Sequence, residues 1–131
     1  MKKSRTLFES FIYAISGVIY SLKTQRNMRI HFLAALLVMI FSKYLNLEEM
    51  EMVAVVFATA LVIIAEMINT AVETAVDMIT EKFHPLARIA KNVAAGAVLV
   101  AVLNAIIIGY VIFFDELYNL LLGIQRLILG R

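Results

Sequence analysis

The 131-residue chain contains no cysteine and a single proline, and only 17% of its residues are charged. Without cysteine, the protein can form no disulfide, no thiolate nucleophile and no zinc site built on cysteine. Because 63% of the residues are apolar, the composition predicts a membrane protein rather than a soluble domain. The length is too short for two ordinary domains, so residues 1–131 are expected to form one membrane domain.

The sequence also lacks the phosphate-binding motifs of soluble nucleotide enzymes. It contains no G-x-x-x-x-G-K-[ST], no G-x-G-x-x-G and no kinase catalytic loop. His31 and His84 are not spaced as a zinc-binding pair. The basic start at 1–5 resembles the beginning of a signal peptide, but no clean apolar segment with a cleavage site follows it. We therefore expect it to belong to the mature protein.

The spacing of apolar residues predicts an all-α membrane protein. Residues 4–24 carry apolar side chains at three- and four-residue steps between basic flanks, which favours an amphipathic helix in the membrane interface. An ordinary bundle helix is the alternative for this segment. Apolar runs then predict transmembrane helices at 30–45, 51–81 and 93–114, followed by a C-terminal tail at 115–131.

The basic residues predict how these helices are oriented. Six of them precede the first predicted span and three follow the second, whereas the link at 43–51 contains one. By the positive-inside rule, the N-terminus and the loop at 81–92 are cytoplasmic and the tail is outside. The second helix has no internal glycine or proline and is about 45 Å long, so its polar end must project from the bilayer core. Pro85 is expected to mark its end.

The third predicted span carries small residues four positions apart. Such a ridge lets another helix approach closely, and its members are Ala97, Ala101, Ala105 and Gly109. Asn104 lies in the same span, where we expect it to form a hydrogen bond between helices rather than take part in a site.

The residues that most clearly could take part in catalysis or metal binding lie at the end of the second predicted span. At about 100° per residue, one helix face carries a carboxylate stripe made of Glu66, Asn69, Thr70, Glu73 and Asp77, which Thr59 and Thr80 extend. Ionisable residues within a span usually face a bundle interior or a water-filled site. Three carboxylates on one stripe would repel one another unless protons, cations or a metal lay among them. Metal-assisted chemistry at the membrane surface is the first hypothesis.

A structural role is the alternative for each of these charged groups. Glu66 could be a protonated carboxyl bonded to a neighbouring helix, with Glu73 and Asp77 simply solvated. Lys91 opens the third span beside the cytoplasmic end of the stripe, where carboxylates for a divalent cation and a lysine for phosphate suit phosphoryl transfer. It could equally be a charge that only sets topology. His84 could cap the loop or touch a phosphate, and spacing does not choose between them.

Residues 66–77 also resemble a known family signature. They read E-M-I-N-T-A-V-E-T-A-V-D, which is similar to the E-x-x-N-[ST]-x-[IV]-E-x-x-[VA]-D of small bacterial integral-membrane lipid kinases, the diacylglycerol and undecaprenol kinases. Residues 84–91 and 94–98 resemble the undecaprenol kinase branch in particular. The resemblance covers about residues 7–114. It implies a homotrimer in the bacterial inner membrane, with a surface helix and three spans per protomer, active sites between subunits, and ATP and Mg²⁺ as co-substrate and cofactor.

The resemblance implies a role for each matching position. Glu66 would be the general base on the lipid hydroxyl, and Asn69 would orient that hydroxyl or the phosphate. Glu73 would hold the Mg²⁺ that bridges the phosphates of ATP. Asp77 would support the nucleotide, and Lys91 would contact phosphate. The other nucleotide-contacting positions are matched by Tyr13, Lys82, His84 and Asn92.

Three positions depart from the family pattern. Gln25 stands where the family usually has a second metal carboxylate and can offer the metal a carbonyl oxygen but no charge. The Lys-Asp pair that opens the third span in the family is Lys91-Asn92 here, so an amide again replaces a carboxylate. Glu9 stands where relatives tend to have a basic residue. The two amides remove negative charge near the metal, but bound ATP brings most of the oxygen ligands of Mg²⁺, so the site need not be lost.

Three functions follow as hypotheses. The first is an ATP-dependent kinase that phosphorylates a polyprenyl alcohol, in particular undecaprenol, at the cytoplasmic surface of the membrane. The second is a diacylglycerol kinase, because the stripe does not distinguish the two lipids. The third is a catalytically silent relative kept as a membrane interaction protein, which Gln25 and Asn92 would explain. Nucleic acid is not expected as a partner.

Overall fold

The structure is a computed structural model that describes residues 6–80 and 83–129, apart from the side chains of residues 116, 126 and 127. The expected all-helical fold class is confirmed, since these ranges contain helices and no strand. Lys82, one of the residues assigned to the nucleotide by resemblance, lies outside the described residues. The four helices are α1 (Leu7–Thr24), α2 (Arg26–Tyr44), α3 (Glu49–Ile79) and α4 (Pro85–Leu129).

Helix α1 begins with a capping box. The Thr6 N–H donates to Glu9 Oε2 at 2.8 Å, and the Glu9 N–H donates to Thr6 Oγ1 at 3.2 Å. This reciprocal pair satisfies two of the free N–H groups at a helix start. Glu9, which departs from the family pattern, thus has a structural use here. The apolar side chains of α1 stay exposed, as suits a helix lying in the membrane interface: Leu7, Phe8, Phe11, Ile12, Ile15 and Ile19.

A single residue separates α1 from α2. Gln25 has an extended backbone (φ −101°, ψ 122°), and its N–H donates to Ser21 O at 2.9 Å to close α1. Helix α2 therefore begins at Arg26, four residues before the expected start of the first span. The polar residues at 26–29 indicate, in the sequence, a segment that precedes the first span, but in the structure they occupy the first turn of its helix. Met28 is fully buried and anchors that turn.

Helix α3 is the central element, because it packs mainly against α4, less against α2 and least against α1. Its buried face is apolar in the first half and polar in the second: Val55, Ala58, Val62, Glu66, Asn69 and Thr70. The helix ends at Ile79, where Thr80 turns to an extended backbone. A single continuous face therefore places the carboxylate stripe against the other helices.

Helix α4 is longer than the predicted span in both directions. It begins at Pro85 instead of residue 93, and it continues to Leu129 through the expected separate tail. Proline is well tolerated in the first turn of a helix, where its missing N–H would have no partner anyway. At 45 residues the helix is about 68 Å long. Nothing from 115 to 129 stops it, since Gly123 alone does not break a helix.

Two helices in the described ranges are long and apolar enough to cross a membrane, at Glu49–Ile79 and Pro85–Gln125. Helix α2 is not one of them. It has 19 residues, and its first two turns contain Arg26, Arg29 and His31, which leaves a short apolar stretch. A third span at α2 therefore stays a prediction.

The small-residue ridge of α4 faces α3 only in its middle part. Ala101 is 5% exposed, whereas Ala97 is exposed, and Ala105 and Gly109 are half-buried. The expected hydrogen bond of Asn104 does not form within the described ranges, where this side chain is exposed on α4. The ridge thus serves packing inside the chain at Ala101, and Asn104 lies on the outer face.

Replacing Ala101 by leucine is expected to destabilise the helix packing. Overfilling a packed position typically costs about 1–3 kcal/mol, because neighbouring side chains must leave their preferred rotamers. The measurement is thermal unfolding in detergent, together with size-exclusion chromatography. Ala97→Leu is the matched control, since it adds the same side chain one turn earlier at an exposed position. Equal melting temperatures for the two variants would contradict the assignment of Ala101 to the α3–α4 contact.

Candidate active site

The carboxylate stripe runs from the packed interior to the solvent. Glu66 is 1% exposed and Asn69 is 5% exposed, Glu73 is half-buried, and Asp77 is exposed near the end of the helix. Glu66 and Asp77 are 11 residues apart, which is about 16 Å along the helix axis. The same helix face thus connects a buried carboxyl group with a solvent-accessible one.

Two buried oxygens of the stripe have no hydrogen-bond partner in the described part of the chain. They are Glu66 Oε2 and Asn69 Oδ1. The Asn69 side-chain N–H donates to Glu73 Oε1 at 3.1 Å, which fixes the orientation of the Asn69 amide. A buried polar atom without a partner typically costs about 1–3 kcal/mol. Two such acceptors, less than one helical turn apart, are suited to receive a donor from a ligand, such as a hydroxyl group.

The threonines of the stripe have a different role. Thr70 Oγ1 donates to Glu66 O at 2.9 Å, and Thr59 Oγ1 donates to Val55 O at 2.9 Å. These bonds lie within α3 and satisfy the hydroxyl donors. Threonine hydroxyls in a helix often bond back to the carbonyl four residues earlier. The side chains of the stripe left for chemistry are therefore the carboxylates and the amide.

A polar cleft opens where α3 ends and α4 begins. This α3–α4 cleft has a volume of about 360 Å³ and is lined by Val76, Asp77, Thr80, Phe83, His84, Ala87, Arg88, Lys91 and Asn92. Lys91 Nζ donates to Asp77 Oδ1 at 2.6 Å, and both side chains are partly exposed. An exposed ion pair contributes only about 0–1 kcal/mol to stability. Lys91 can therefore move from Asp77 to a bound anion at little cost.

The charges of the α3–α4 cleft favour an anion. Among the lining residues that the structure describes, Arg88 and Lys91 supply two positive charges and Asp77 supplies one negative charge. The first turn of α4 lies in the same wall, and the N-terminus of a helix carries a partial positive charge that attracts phosphate groups. Cationic side chains and a helix start thus meet in one place. The cleft is suited to a phosphorylated ligand.

The structure brings some of the predicted site residues together and leaves others apart. Asp77, His84, Lys91 and Asn92 line the α3–α4 cleft. Glu66, Asn69 and Glu73 follow one another along α3, between the packed interior and that cleft. Two predicted residues are not in the lining of the cleft within one chain, namely Tyr13 on α1 and Gln25 at the α1–α2 junction.

Phe83 and Arg88 also line the cleft, although the sequence did not assign them to the site. In the sequence, Arg88 belongs to the basic residues that predict topology and to the segment 84–91 that carries the family resemblance, without a role in the site. It is three residues before Lys91, and that spacing places both on one helix face once the helix begins at Pro85. No sequence signal marks Phe83, whose position depends on how the chain connects α3 to α4.

These residues can be tested for their fit to Mg²⁺ by comparing the side chains present with the number of protein ligands that the ion needs. No three His, Asp or Glu side chains converge as a metal site in the ranges 6–80 and 83–129. Mg²⁺ at nucleotide sites usually takes one or two carboxylates, with phosphate oxygens and water as its other ligands. Glu73 offers a carboxylate, and the unpartnered Asn69 Oδ1 offers a carbonyl oxygen beside it. This donor set fits a Mg²⁺ that arrives with a nucleotide.

Comparisons with known proteins agree with the resemblance seen in the sequence. Residues 12–113 match the family described as prokaryotic diacylglycerol kinase. The chain is 40% identical over 116 residues to a diacylglycerol kinase of Synechocystis sp., a match that covers 88% of this chain and 66% of that protein, just under two thirds of its length. It is 39% identical over 110 residues to an undecaprenol kinase of Bacillus subtilis, covering 84% of this chain and 89% of the relative.

A third relative is a diacylglycerol kinase of Escherichia coli. The identity is 30% over 83 residues, covering 63% of this chain and 68% of that protein. The family match includes α2, α3 and most of the apolar part of α4. Because it spans most of the chain, the protein belongs to the prokaryotic diacylglycerol kinase family, a family of membrane lipid kinases.

Proposed function

We propose that this protein is an ATP-dependent lipid kinase that phosphorylates the hydroxyl group of undecaprenol. The observation that carries this proposal is the pair of buried, unpartnered acceptors at Glu66 and Asn69, on the helix face that leads to the α3–α4 cleft with its cationic lining. A hydroxyl group can meet the buried end of this face while a nucleotide occupies the solvent-accessible end. The match to the undecaprenol kinase of Bacillus subtilis covers 89% of that relative, and this similarity favours undecaprenol as the lipid.

In the proposed reaction, Glu66 accepts the proton of the lipid hydroxyl as its oxygen attacks the γ-phosphorus of ATP. The bond between that phosphorus and the β-phosphate oxygen breaks, and ADP leaves with that oxygen. Asn69 orients the hydroxyl group, because its own amide is held in place by the bond to Glu73. A positioned base of this kind typically contributes about 10²–10⁴-fold to the rate.

The α3–α4 cleft is the proposed nucleotide site. Lys91 leaves Asp77 to contact phosphate, Arg88 and the start of α4 add positive charge, and His84 and Asn92 complete the lining. A nucleotide lying along α3 can then direct its phosphates towards Glu73. Glu73 would hold Mg²⁺ there. When bound, the ion neutralises charge on the phosphates, which phosphoryl transfer requires.

The proposal includes the arrangement in the membrane. Helix α2 is the third span beside α3 and α4, α1 lies in the interface, and the α3–α4 cleft faces the cytoplasm of a bacterial cell. Three copies form a homotrimer, which would cover part of the large apolar surface that a single chain exposes. Active sites between subunits would let Tyr13 and Gln25 reach a nucleotide bound to a neighbouring copy.

A diacylglycerol kinase is the second candidate, favoured by the Synechocystis relative at 40% identity. Assaying one purified preparation with radiolabelled ATP against undecaprenol and diacylglycerol, in the same mixed micelles, separates the two. Higher kcat/KM for undecaprenol is expected. A preference for diacylglycerol would assign the second function, and an assembled protein that labels neither lipid would identify a silent relative.

Restoring charge at the two amides is expected to lower the Mg²⁺ concentration that gives half-maximal rate. Asn92 lies in the α3–α4 cleft beside Lys91, so Asn92→Asp places a carboxylate near the proposed phosphates. Gln25→Glu restores the acidic residue that the family resemblance implies. A charged contact is typically worth about 1.5–3 kcal/mol, so the double variant should shift the requirement by roughly tenfold.

The measurement is a Mg²⁺ titration of initial rates for the parent, both single variants and the double variant. Repulsion from Glu73 and Asp77 would oppose the new carboxylates if no cation were bound near them. Unchanged Mg²⁺ dependence in active variants would contradict a metal near these positions. Activity found only in the double variant would show that the parent is silent.

A further inference from the structure

A second cavity lies within the apolar part of the bundle, between α2, α3 and α4. It has a volume of about 320 Å³, and alanines, a glycine and branched aliphatic side chains form most of its wall. The lining includes two polar residues, His31 and Thr59. The Thr59 hydroxyl donates to Val55 O at 2.9 Å, so it is satisfied within α3. His31 is therefore the polar group that this apolar cavity offers to a ligand.

One end of the apolar cavity adjoins the proposed catalytic base. Val62 lines the cavity from α3, and Glu66 follows it by one turn on the same buried face. His31 lines the cavity from α2 and lies close enough to Glu66 to interact with its carboxylate electrostatically. A molecule with its hydroxyl group at Glu66 would thus have its hydrocarbon part at the entrance of this cavity.

The other end of the cavity is bordered by an aromatic ring of α4, which contacts a second aromatic ring on α2. Phe113 lines the cavity from α4 and contacts Phe41 of α2, with ring centroids 5.7 Å apart and planes at 44°. Along α2 the lining extends from His31 to Val38, about 10 Å, and along α4 it extends from Val102 to Phe113, about 16 Å. The cavity thus extends farthest along α4, where Phe113 borders the end away from His31.

We propose that the apolar cavity binds the part of the prenyl chain next to the hydroxyl group, and that the Phe41–Phe113 pair limits how many isoprene units it admits. This inference rests on the proposed function and adds the residues that determine chain length. The rest of a long chain leaves through the open side of the cavity, between α2 and α4, into the lipid. The cavity admits one chain along its length, which suits a prenol.

The expected selectivity is moderate, for a physical reason. A lipid chain that enters the cavity leaves a hydrocarbon environment, so it gains no hydrophobic free energy by transfer from water. Discrimination comes from dispersion contacts with the wall and from steric exclusion at the end bordered by Phe113. The kcat/KM should therefore rise with chain length until the cavity is filled, and longer prenols should give no further gain.

The test measures kcat/KM for geraniol, farnesol, geranylgeraniol and undecaprenol in identical micelles. We call the levelling point the chain length beyond which kcat/KM no longer rises. In the variant Phe41→Ala/Phe113→Ala, the levelling point should move to a longer prenol. The geranylgeraniol-to-farnesol ratio should then rise about threefold, through the dispersion contacts of one further isoprene unit. The matched control is Tyr110→Ala/Phe114→Ala, which removes an aromatic pair with centroids 5.2 Å apart from the exposed face of α4. Its ratio should equal that of the parent.

Gly109→Leu provides the opposite change. Gly109 lines the cavity one turn before Phe113, and a Cβ there would meet only that ring, at an ordinary contact distance of 3.9 Å. Leucine is also a better helix former than glycine, which favours folding of the variant. The levelling point should move to a shorter prenol. An unchanged chain-length profile in both cavity variants, with activity retained, would overturn the proposal.

Two further readouts separate this inference from other outcomes. Binding of the same prenols without ATP, followed by native mass spectrometry, should show the same chain-length profile. If the parent phosphorylates no prenol but binds them with this profile, the proposed function fails and the cavity assignment stands. If the cavity variants instead lose their oligomeric state with no change in profile, a helix of a second copy occupies the cavity and the assignment is wrong.

Discussion

Replacement of Glu66 by glutamine is expected to reduce lipid phosphorylation by at least about 100-fold while the protein stays folded and assembled. The amide has the shape of the carboxyl group but cannot accept a proton, so it removes the base and preserves the packing. Preserved packing matters at this position, because Glu66 is 1% exposed and one of its oxygens is buried without a partner. Initial rates with radiolabelled ATP in detergent micelles provide the measurement.

The same variant tests the structural alternative for Glu66. If this residue were a protonated carboxyl that only supports the bundle, glutamine would imitate it closely and activity would be near the parental value. Glu49→Gln is the control, because it removes a carboxylate from an exposed position in the first turn of the same helix. That control should retain activity, and size-exclusion profiles should agree among all three proteins. Near-parental turnover in Glu66→Gln would exclude this residue as the base.

The location of the stripe could be predicted from sequence because it depends on local geometry alone. Helical periodicity places Glu66, Asn69 and Glu73 on one face, and an apolar run before them indicates that the face begins inside the bundle. The gradient of exposure along α3 agrees with that prediction. Periodicity contains no information about partners on other helices. The contact between Asp77 and Lys91, 14 residues apart, could only be expected from topology.

The helix bounds were harder to predict, for reasons specific to each end. Pro85 was interpreted as the end of one helix, and it is also the first residue of the next one. Because α4 begins at Pro85, Arg88 lies on the helix face that lines the α3–α4 cleft. A predicted start at residue 93 does not place Arg88 in a helix, so its position in the cleft could not be predicted. The apolar cavity depends on where Phe41 and Phe113 meet across two helices far apart in sequence. No local pattern encodes such a contact.

Replacement of Glu73 by glutamine is expected to lower turnover by about 100-fold and to make ATP binding independent of Mg²⁺. Glu73 supplies the carboxylate nearest to the centre of the stripe, and loss of a charged contact of about 3 kcal/mol corresponds to that factor. Glutamine keeps an oxygen that can accept the bond from Asn69, which is 3.1 Å in the parent, so the position of the amide should be preserved. ATP affinity is measured by titration with and without Mg²⁺.

Asp77→Asn is the matched comparison, because it removes the same charge from the same helix face, one turn nearer the solvent. It breaks the 2.6 Å ion pair with Lys91, so ATP affinity should change, but the dependence of that affinity on Mg²⁺ should remain. A general electrostatic role of the stripe predicts equal effects from the two variants, since each removes one negative charge. A ligand role predicts that only Glu73→Gln loses the response to Mg²⁺. If ATP binding by that variant still depends on Mg²⁺ as in the parent, Glu73 does not hold the ion, and the metal must be bound by other residues.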